Sequence, residues 1–181
     1  MRVISGSARG RKLVQLQGME TRPTTDQVKE SMFNIIQFDV EGRRVLDLFA
    51  GTGQLGIEAL SRGAERCTFV DQRRDAVALV RDNLRHCQLA DRARVVQAES
   101  IGFLSAARER YHLIFLDPPY QTNLLENALK KIVEIDMLAE NGIIICESAA
   151  DRVLPEVDAP YRKGREYRYG KIKLTVYRKE V

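Results

Sequence analysis

Two hydrophobic periods alternate along the chain. Short apolar runs at 44–49, 66–70, 93–97, 112–116 and 142–147 read as buried strands. Between them, apolar residues recur at helical spacing over 54–62, 74–87, 101–108 and 124–135. Before this series, 26–38 predicts a helix with Val28, Met32, Ile35 and Ile36 on one face, N-capped by Thr24 or Thr25. Residues 2–16 predict a β-hairpin, with arms at Val3-Ile4 and 12–16 and a Gly/Ser turn over 5–10. After the fifth strand, 149–157 is short for a crossover helix and Pro155 stops it. Two alternating segments, 165–169 and 172–178, then predict a closing antiparallel hairpin about Tyr169-Gly170.

Repeated β–α units require right-handed crossovers and a parallel sheet covered on both faces, to which the terminal hairpin adds an antiparallel edge. The expected organisation is a basic N-terminal hairpin appendage over 1–20 and a single α/β domain over 21–181. A chain of 181 residues buries about 70% of its unfolded surface, enough for a proper core. With 44% hydrophobic and 30% charged residues, the composition is that of a soluble globular protein. No apolar run reaches the ~20 residues of a membrane span. The start, MRVISGSARGRK, has no signal-peptide h-region, so a cytoplasmic location is expected. Cys67, Cys87 and Cys146 show no C-x-x-C spacing and read as buried reduced thiols. His86 and His112 are isolated, so no metal site is expected.

Charge is uneven. The net charge is only +4, but Arg2, Arg9, Arg11 and Lys12 crowd the start, and eight Lys or Arg residues fall between 162 and 179. Basic ends permit a nucleic-acid partner, while alternating cations on an edge hairpin also guard against edge pairing.

In an open parallel sheet, ligands bind where strands end. After the first strand comes Gly51-x-Gly53-x-x-Gly56, between an apolar run and a helix, the context in which a glycine triplet cradles a nucleotide-like ligand. Asp47 precedes it and can accept from glycine-loop N–H groups or from a ligand ammonium. Asp71, ending the second strand, suits ribose hydroxyls, or an N-cap of the next helix. Ala98, Glu99 and Ser100 follow the third strand. Asp117-Pro118-Pro119-Tyr120 follows the fourth. Its two prolines remove two backbone donors and hold the segment extended. The Asp117 carboxylate and the Pro118 carbonyl are then placed to accept both hydrogens of one exocyclic amino group, with Tyr120 stacked on the ring that bears it.

This constellation resembles the class I S-adenosylmethionine-dependent methyltransferases that modify amino groups. Over about residues 2–178 the chain is similar to the RsmD family of 16S rRNA guanine-N2 methyltransferases, through Asp47-Leu48-Phe49-Ala50-Gly51-Thr52-Gly53, Gly56-Ile57-Glu58-Ala59-Leu60-Ser61-Arg62-Gly63-Ala64, Arg22-Pro23-Thr24-Thr25-Asp26 with Phe33-Asn34, Gly10-Arg11-Lys12-Leu13 and the Asp-Pro-Pro-Tyr loop. The resemblance implies a seven-stranded, mostly parallel, doubly wound Rossmann-like sheet with an antiparallel last strand. It implies S-adenosylmethionine as donor and a guanine N2 of 16S rRNA, within a small-subunit assembly particle, as acceptor for a monomeric enzyme. Cofactor contacts are then expected from Asp47, Phe49, Gly51, Gly53, Gly56, Asp71, Ala98, Glu99, Ser100, Arg22 and Thr24. Asp117, Pro118 and Tyr120 hold the base, and Arg9, Arg11, Lys12 and Arg22 hold RNA phosphates. The chain departs from the commonest class I pattern after the third strand, where Gln97-Ala98-Glu99-Ser100 stands in place of a leading Asp.

Three other readings compete. The glycine spacing alone fits an NAD-dependent oxidoreductase, but little chain remains for a substrate domain and the Asp-Pro-Pro-Tyr loop has no part in hydride transfer. Adenine-N6 DNA methyltransferases and glutamine methyltransferases of proteins use loops of the same kind. A non-catalytic RNA-binding factor has no use for a complete cofactor edge.

Overall fold

The computed structural model describes residues 1–16, 25–120 and 122–180. Helix α1 spans Asp26–Ile35 and starts where the Thr25 hydroxyl accepts from the Val28 N–H, one of the orphan donors of its first turn. The β–α series follows as β1 (Arg44–Asp47), α2 (Gln54–Ser61), β2 (Arg66–Asp71), α3 (Arg74–His86), β3 (Ala93–Gln97), α4 (Ser100–Ala106), β4 (Tyr111–Leu116), α5 (Leu124–Glu134) and β5 (Leu138–Ala149). The hairpin β6 (Tyr161–Tyr169) and β7 (Ile172–Lys179) closes the fold.

All seven strands form one sheet in the order β3-β2-β1-β4-β5-β7-β6. Strands β1 to β5 pair in parallel, and β7 lies antiparallel between β5 and β6. Side chains alternate between two cores, as strand geometry requires. Val45, Phe69, Leu113, Phe115 and Ile145 pack with α1, α2 and α3 on one face. Leu46, Val70, Ile114, Leu116 and Ile144 pack with α4 and α5 on the other. No described helix is long and apolar enough to cross a membrane.

Four local features depart from the sequence reading. Helix α1 ends at Ile35 rather than 38 and buries Phe33 where Ile35 was expected, leaving Phe38 88% exposed. Strand β5 begins at Leu138, not 142, because Glu140-Asn141-Gly142 is taken up as a bulge rather than a turn. Asn141 adopts φ 60°, and the pairing with β4 shifts register between Tyr111 and Leu113. Strand β6 begins at Tyr161, ahead of the expected 165. In keeping with the sequence reading, no helix forms across 150–157; that stretch is pinned by Leu154, buried in the second core. The N-terminal hairpin is closed by a single bridge, Arg2 to Lys12, instead of two regular arms.

That N-terminal loop is fastened to α2. Glu58, fully buried, accepts from the Ile4 and Ser5 N–H groups at 2.8 and 3.0 Å and pairs with Lys29 and Arg62. Burial lowers the Lys29 pKa, and the Glu58 charge opposes that shift. A Cβ on Gly6 would lie 1.8 Å from the Ser61 carbonyl oxygen, so only glycine allows this approach.

Candidate active site

β1 lies between β2 and β4, all parallel, so their tips stand side by side at one edge of the sheet. Asp47, 2% exposed, points along the loop that follows β1 and accepts from the Gly56 N–H at 3.0 Å. Burial drives its pKa up to about 7, the Gly56 bond works against that rise, and the charges of Asp117 and Asp71 add to it. Carboxylates from the tips of three adjacent parallel strands thus stand near enough to feel one another's charge.

The glycines divide the labour of the loop. Gly51 and Gly53 sit at φ 57° and 84°, where side chains are strained. A Cβ on Gly51 would meet nothing within 4 Å, so its backbone faces open space. A Cβ on Gly56 would lie 2.3 Å from Phe69 Cε1 and 2.7 Å from Cys67 Sγ. Gly56 therefore lets α2 press directly on β2, the role of the third glycine in such fingerprints.

Asp71 accepts from the Gly51 N–H and from the Arg73 N–H, both at 2.9 Å, tying the first strand tip to the second. The N-cap of α3 is Arg73 itself, so the capping alternative for Asp71 is met only in this indirect form. Glu99 N-caps α4, accepting from Ile101 and Gly102 at 3.0 and 2.9 Å, and these bonds hold its pKa down. Its carboxylate thus serves the helix, and the Ala98 N–H bonds the Asp71 carbonyl at 3.1 Å. Ser100 is buried in the first turn of α4, and Phe49 packs against the second core.

On the β4 side, Asp117 and Tyr120 are half-buried, Pro118 is buried and Pro119 is exposed. The Thr122 hydroxyl donates to the Pro119 carbonyl at 2.9 Å and folds the loop back on itself. Arg152 grips the same loop from the far side of the chain, donating to the Tyr120 carbonyl at 2.7 Å and to Thr122.

Arg9, Arg11 and Lys12 lie exposed on the N-terminal loop. Arg22 and Thr24 lie outside the described residues. The sequence reading missed Asn83 and Arg152. Asn83, 1% exposed, donates to the carbonyls of Thr52 and Val14 and accepts from the Val14 N–H, joining α3, the glycine loop and the N-terminal segment. Its signal was a polar residue inside the apolar stripe Ala76, Val77, Val80 and Leu84. Arg152 lies in a segment without periodicity and gave none.

A sheet of this order, with a glycine loop after β1, an acid ending β2 and Asp-Pro-Pro-Tyr after β4, is a Rossmann-like class I methyltransferase architecture. The solved structure of TrmN from Thermus thermophilus shares this fold, at TM-score 0.68 and 18% identity over 84% of this chain and 48% of that one. A family model described as "Conserved hypothetical protein 95" matches residues 1–178. The chain is 46% identical to YlbH of Bacillus subtilis over 99% of each sequence. It is 35% identical to ribosomal RNA small subunit methyltransferase D of Escherichia coli, over 100% of this chain and 91% of the relative. The solved structure of the Escherichia coli protein yhhF superposes at TM-score 0.89 and 36% identity, covering 99% of this chain and 98% of that one. This chain belongs to the RsmD family, that of ribosomal RNA small subunit methyltransferase D.

Proposed function

We propose that this protein transfers a methyl group from S-adenosylmethionine to the exocyclic N2 of a guanine in 16S rRNA, acting as a monomer on a small-subunit assembly particle in the cytoplasm. The carrying observation is that adjacent strand tips bring Asp47, the Gly51–Gly56 loop and Asp71 next to the Asp-Pro-Pro-Tyr loop. Asp71 and Asp117, with Asp47 able to ionise beside a bound cation, favour a cationic ligand over a dinucleotide, whose pyrophosphate they repel.

The residues fit that donor. The open backbone at Gly51 passes its methionine part, with Asp47 next to the ammonium and Phe49, Gly53 and Gly56 shaping the loop. Asp71 keeps lone pairs for ribose hydroxyls beyond its two backbone bonds. Ala98 and Ser100 flank the adenine, and Glu99 fixes their backbone by capping α4. Arg22 and Thr24 are assigned to the same edge by family resemblance. When bound, the donor supplies an electrophilic methyl on a sulfonium.

The guanine N2 lone pair is delocalised into the ring and is a poor nucleophile. Asp117 and the Pro118 carbonyl accept its two hydrogens, which favours pyramidal nitrogen and aims the lone pair along the sulfur–carbon axis. Tyr120 stacks on the ring. As the nitrogen–carbon bond forms, the carbon–sulfur bond breaks. Asp117 stabilises the positive charge that grows on nitrogen, and the proton leaves through its carboxylate to solvent. The basic arm, residues 1–20, supplies Arg9, Arg11 and Lys12 to phosphates, with Arg22 next to them in sequence.

Tritiated methyl transfer onto deproteinised 16S rRNA, small-subunit particles, DNA and protein tests this reading, beside calorimetric titration with S-adenosylmethionine and NAD. Label in a guanine N2 of rRNA is the expected result. Label confined to DNA adenine or to glutamine, or binding of NAD alone, overturns it.

A further inference from the structure

The two prolines stiffen only the first half of the Asp117–Tyr120 loop. Beyond Pro119 the chain needs another restraint, since proline fixes its own φ and biases only the residue before it. The structure supplies one from the segment between β5 and β6. Arg152 donates to the Tyr120 carbonyl at 2.7 Å and also to the Thr122 carbonyl. Its remaining donors form a two-pronged pair with Glu126, Nε to Oε1 at 2.7 Å and Nη2 to Oε2 at 2.6 Å. Glu126 stands in the first turn of α5, where a carboxylate is favoured by the helix dipole.

Arg152 is itself held. Its N–H bonds the Ala149 carbonyl at 3.1 Å, and its carbonyl accepts from Lys173 Nζ, 2% exposed and paired with Glu166 at 3.5 Å. One guanidinium thus ties the tail of the base-holding loop to the start of α5, and is anchored from behind by β7. The planar fork suits this task, and a lysine ammonium cannot reproduce the two-pronged geometry.

We propose that Arg152, clasped by Glu126, is a positioning residue for methyl transfer: it fixes the backbone of Tyr120 so that the ring and Asp117 meet the target base in register. The inference rests on the reading of the Asp117–Tyr120 loop as the base holder. Misplacement of about 1 Å costs as much as 10²-fold in rate, so a loosened loop shows in the chemical step rather than in donor binding.

The test is single-turnover methyl transfer to deproteinised 16S rRNA and small-subunit particles, with saturating S-adenosylmethionine. Arg152→Ala is expected to slow transfer at least tenfold with donor affinity changed less than twofold. Glu126→Gln slows it comparably, and the double variant is no slower than the worse single, because both remove one clasp. Arg152→Lys does not restore the rate. The chain has no tryptophan, so Tyr120→Trp provides a lone reporter whose fluorescence anisotropy falls when Arg152→Ala is added. If Arg152→Ala does not fold, Glu126→Gln in the reporter background decides on the same criteria. An unchanged rate, or a slower rate with unchanged anisotropy, overturns the inference. Asp117→Ala separates the two levels. If it abolishes transfer while Arg152→Ala does not slow it, only the Arg152 role falls. If it too leaves the rate intact, the base-holding reading falls, and the Arg152 role with it.

Discussion

The two halves of the candidate site are built by different means. On the side of the glycine loop, most restraint is local and carboxylate-based: Asp47 to Gly56, Asp71 to Gly51 and Arg73, and Glu99 to Ile101 and Gly102 all span 20 residues or fewer, and Asn83 adds one longer tie to the Thr52 carbonyl. On the base side, stiffness comes first from covalent structure, the Pro118-Pro119 pair, and then from Arg152, some 30 residues along the chain. The glycine loop is held by Asp47 at the end of β1, by Asp71 of the neighbouring strand and by Asn83 of α3. On the proposed reading of the Asp-Pro-Pro-Tyr loop as the base holder, its backbone is braced by prolines and by Arg152 rather than by carboxylates of the loop.

The sharpest way to break this contrast is Asp117→Ala. It is expected to slow methyl transfer by 10²-fold or more while S-adenosylmethionine binding, read by calorimetry, stays near wild type. Equal loss of both would merge the two halves into one. Gly56→Ala does the reverse. Its methyl must displace Phe69 or Cys67, costing about 1–3 kcal/mol by denaturant unfolding and weakening donor affinity, because α2 and the glycine loop move together.

Next in size is the RNA arm. Replacing Arg9, Arg11 and Lys12 together by Ala is expected to lower the slope of log affinity against log salt by about two to three, without loss of stability, since all three side chains are exposed. An unchanged slope would remove the arm from the RNA interface. Deleting the arm would be a poorer test, because Val3, Ala8 and Leu13 belong to the core.

A last effect, read in stability rather than in activity, is the pH dependence carried by Asp47. Its folded pKa of about 7 lies above its ordinary 3.8, so between those values the native state holds a proton that the unfolded chain has released. Stability from this group is therefore full below about pH 4 and falls as pH rises towards 7, by at most about 1.4 kcal/mol per pH unit. Denaturant unfolding of Asp47→Asn at pH 5 and 7.5 is expected to show a flatter profile than wild type; parallel profiles would contradict it. A cation bound beside Asp47 pulls its pKa down, so donor binding near pH 7 should release protons, read as a binding heat that varies with buffer.

What was legible in the sequence follows the same division. Glycine spacing, the capping Thr25, the strand-end acids and the proline pair act over a few residues, and each leaves a local pattern. The contacts of Glu58 with Ile4 and Ser5, of Asn83 with Val14, and of Arg152 with Tyr120 join positions far apart in sequence, where no periodicity connects the partners. The bulge within β5 was hidden for a related reason: Glu140-Asn141-Gly142 has the composition of a turn, and only the flanking pairs Leu138–Tyr111 and Ile143–Leu113 keep it in the sheet.

The strand order carries a consequence for how the molecule assembles. The outer edge of β5 is paired by β7, yet β6 comes first along the chain and has no other partner in the sheet. β6 can therefore enter the sheet only through β7, to which the short turn at Tyr169-Gly170 joins it. Without that hairpin β5, with its run Ile143-Ile144-Ile145-Cys146, presents an open apolar edge. The closing hairpin thus also serves as the cover of an apolar strand edge.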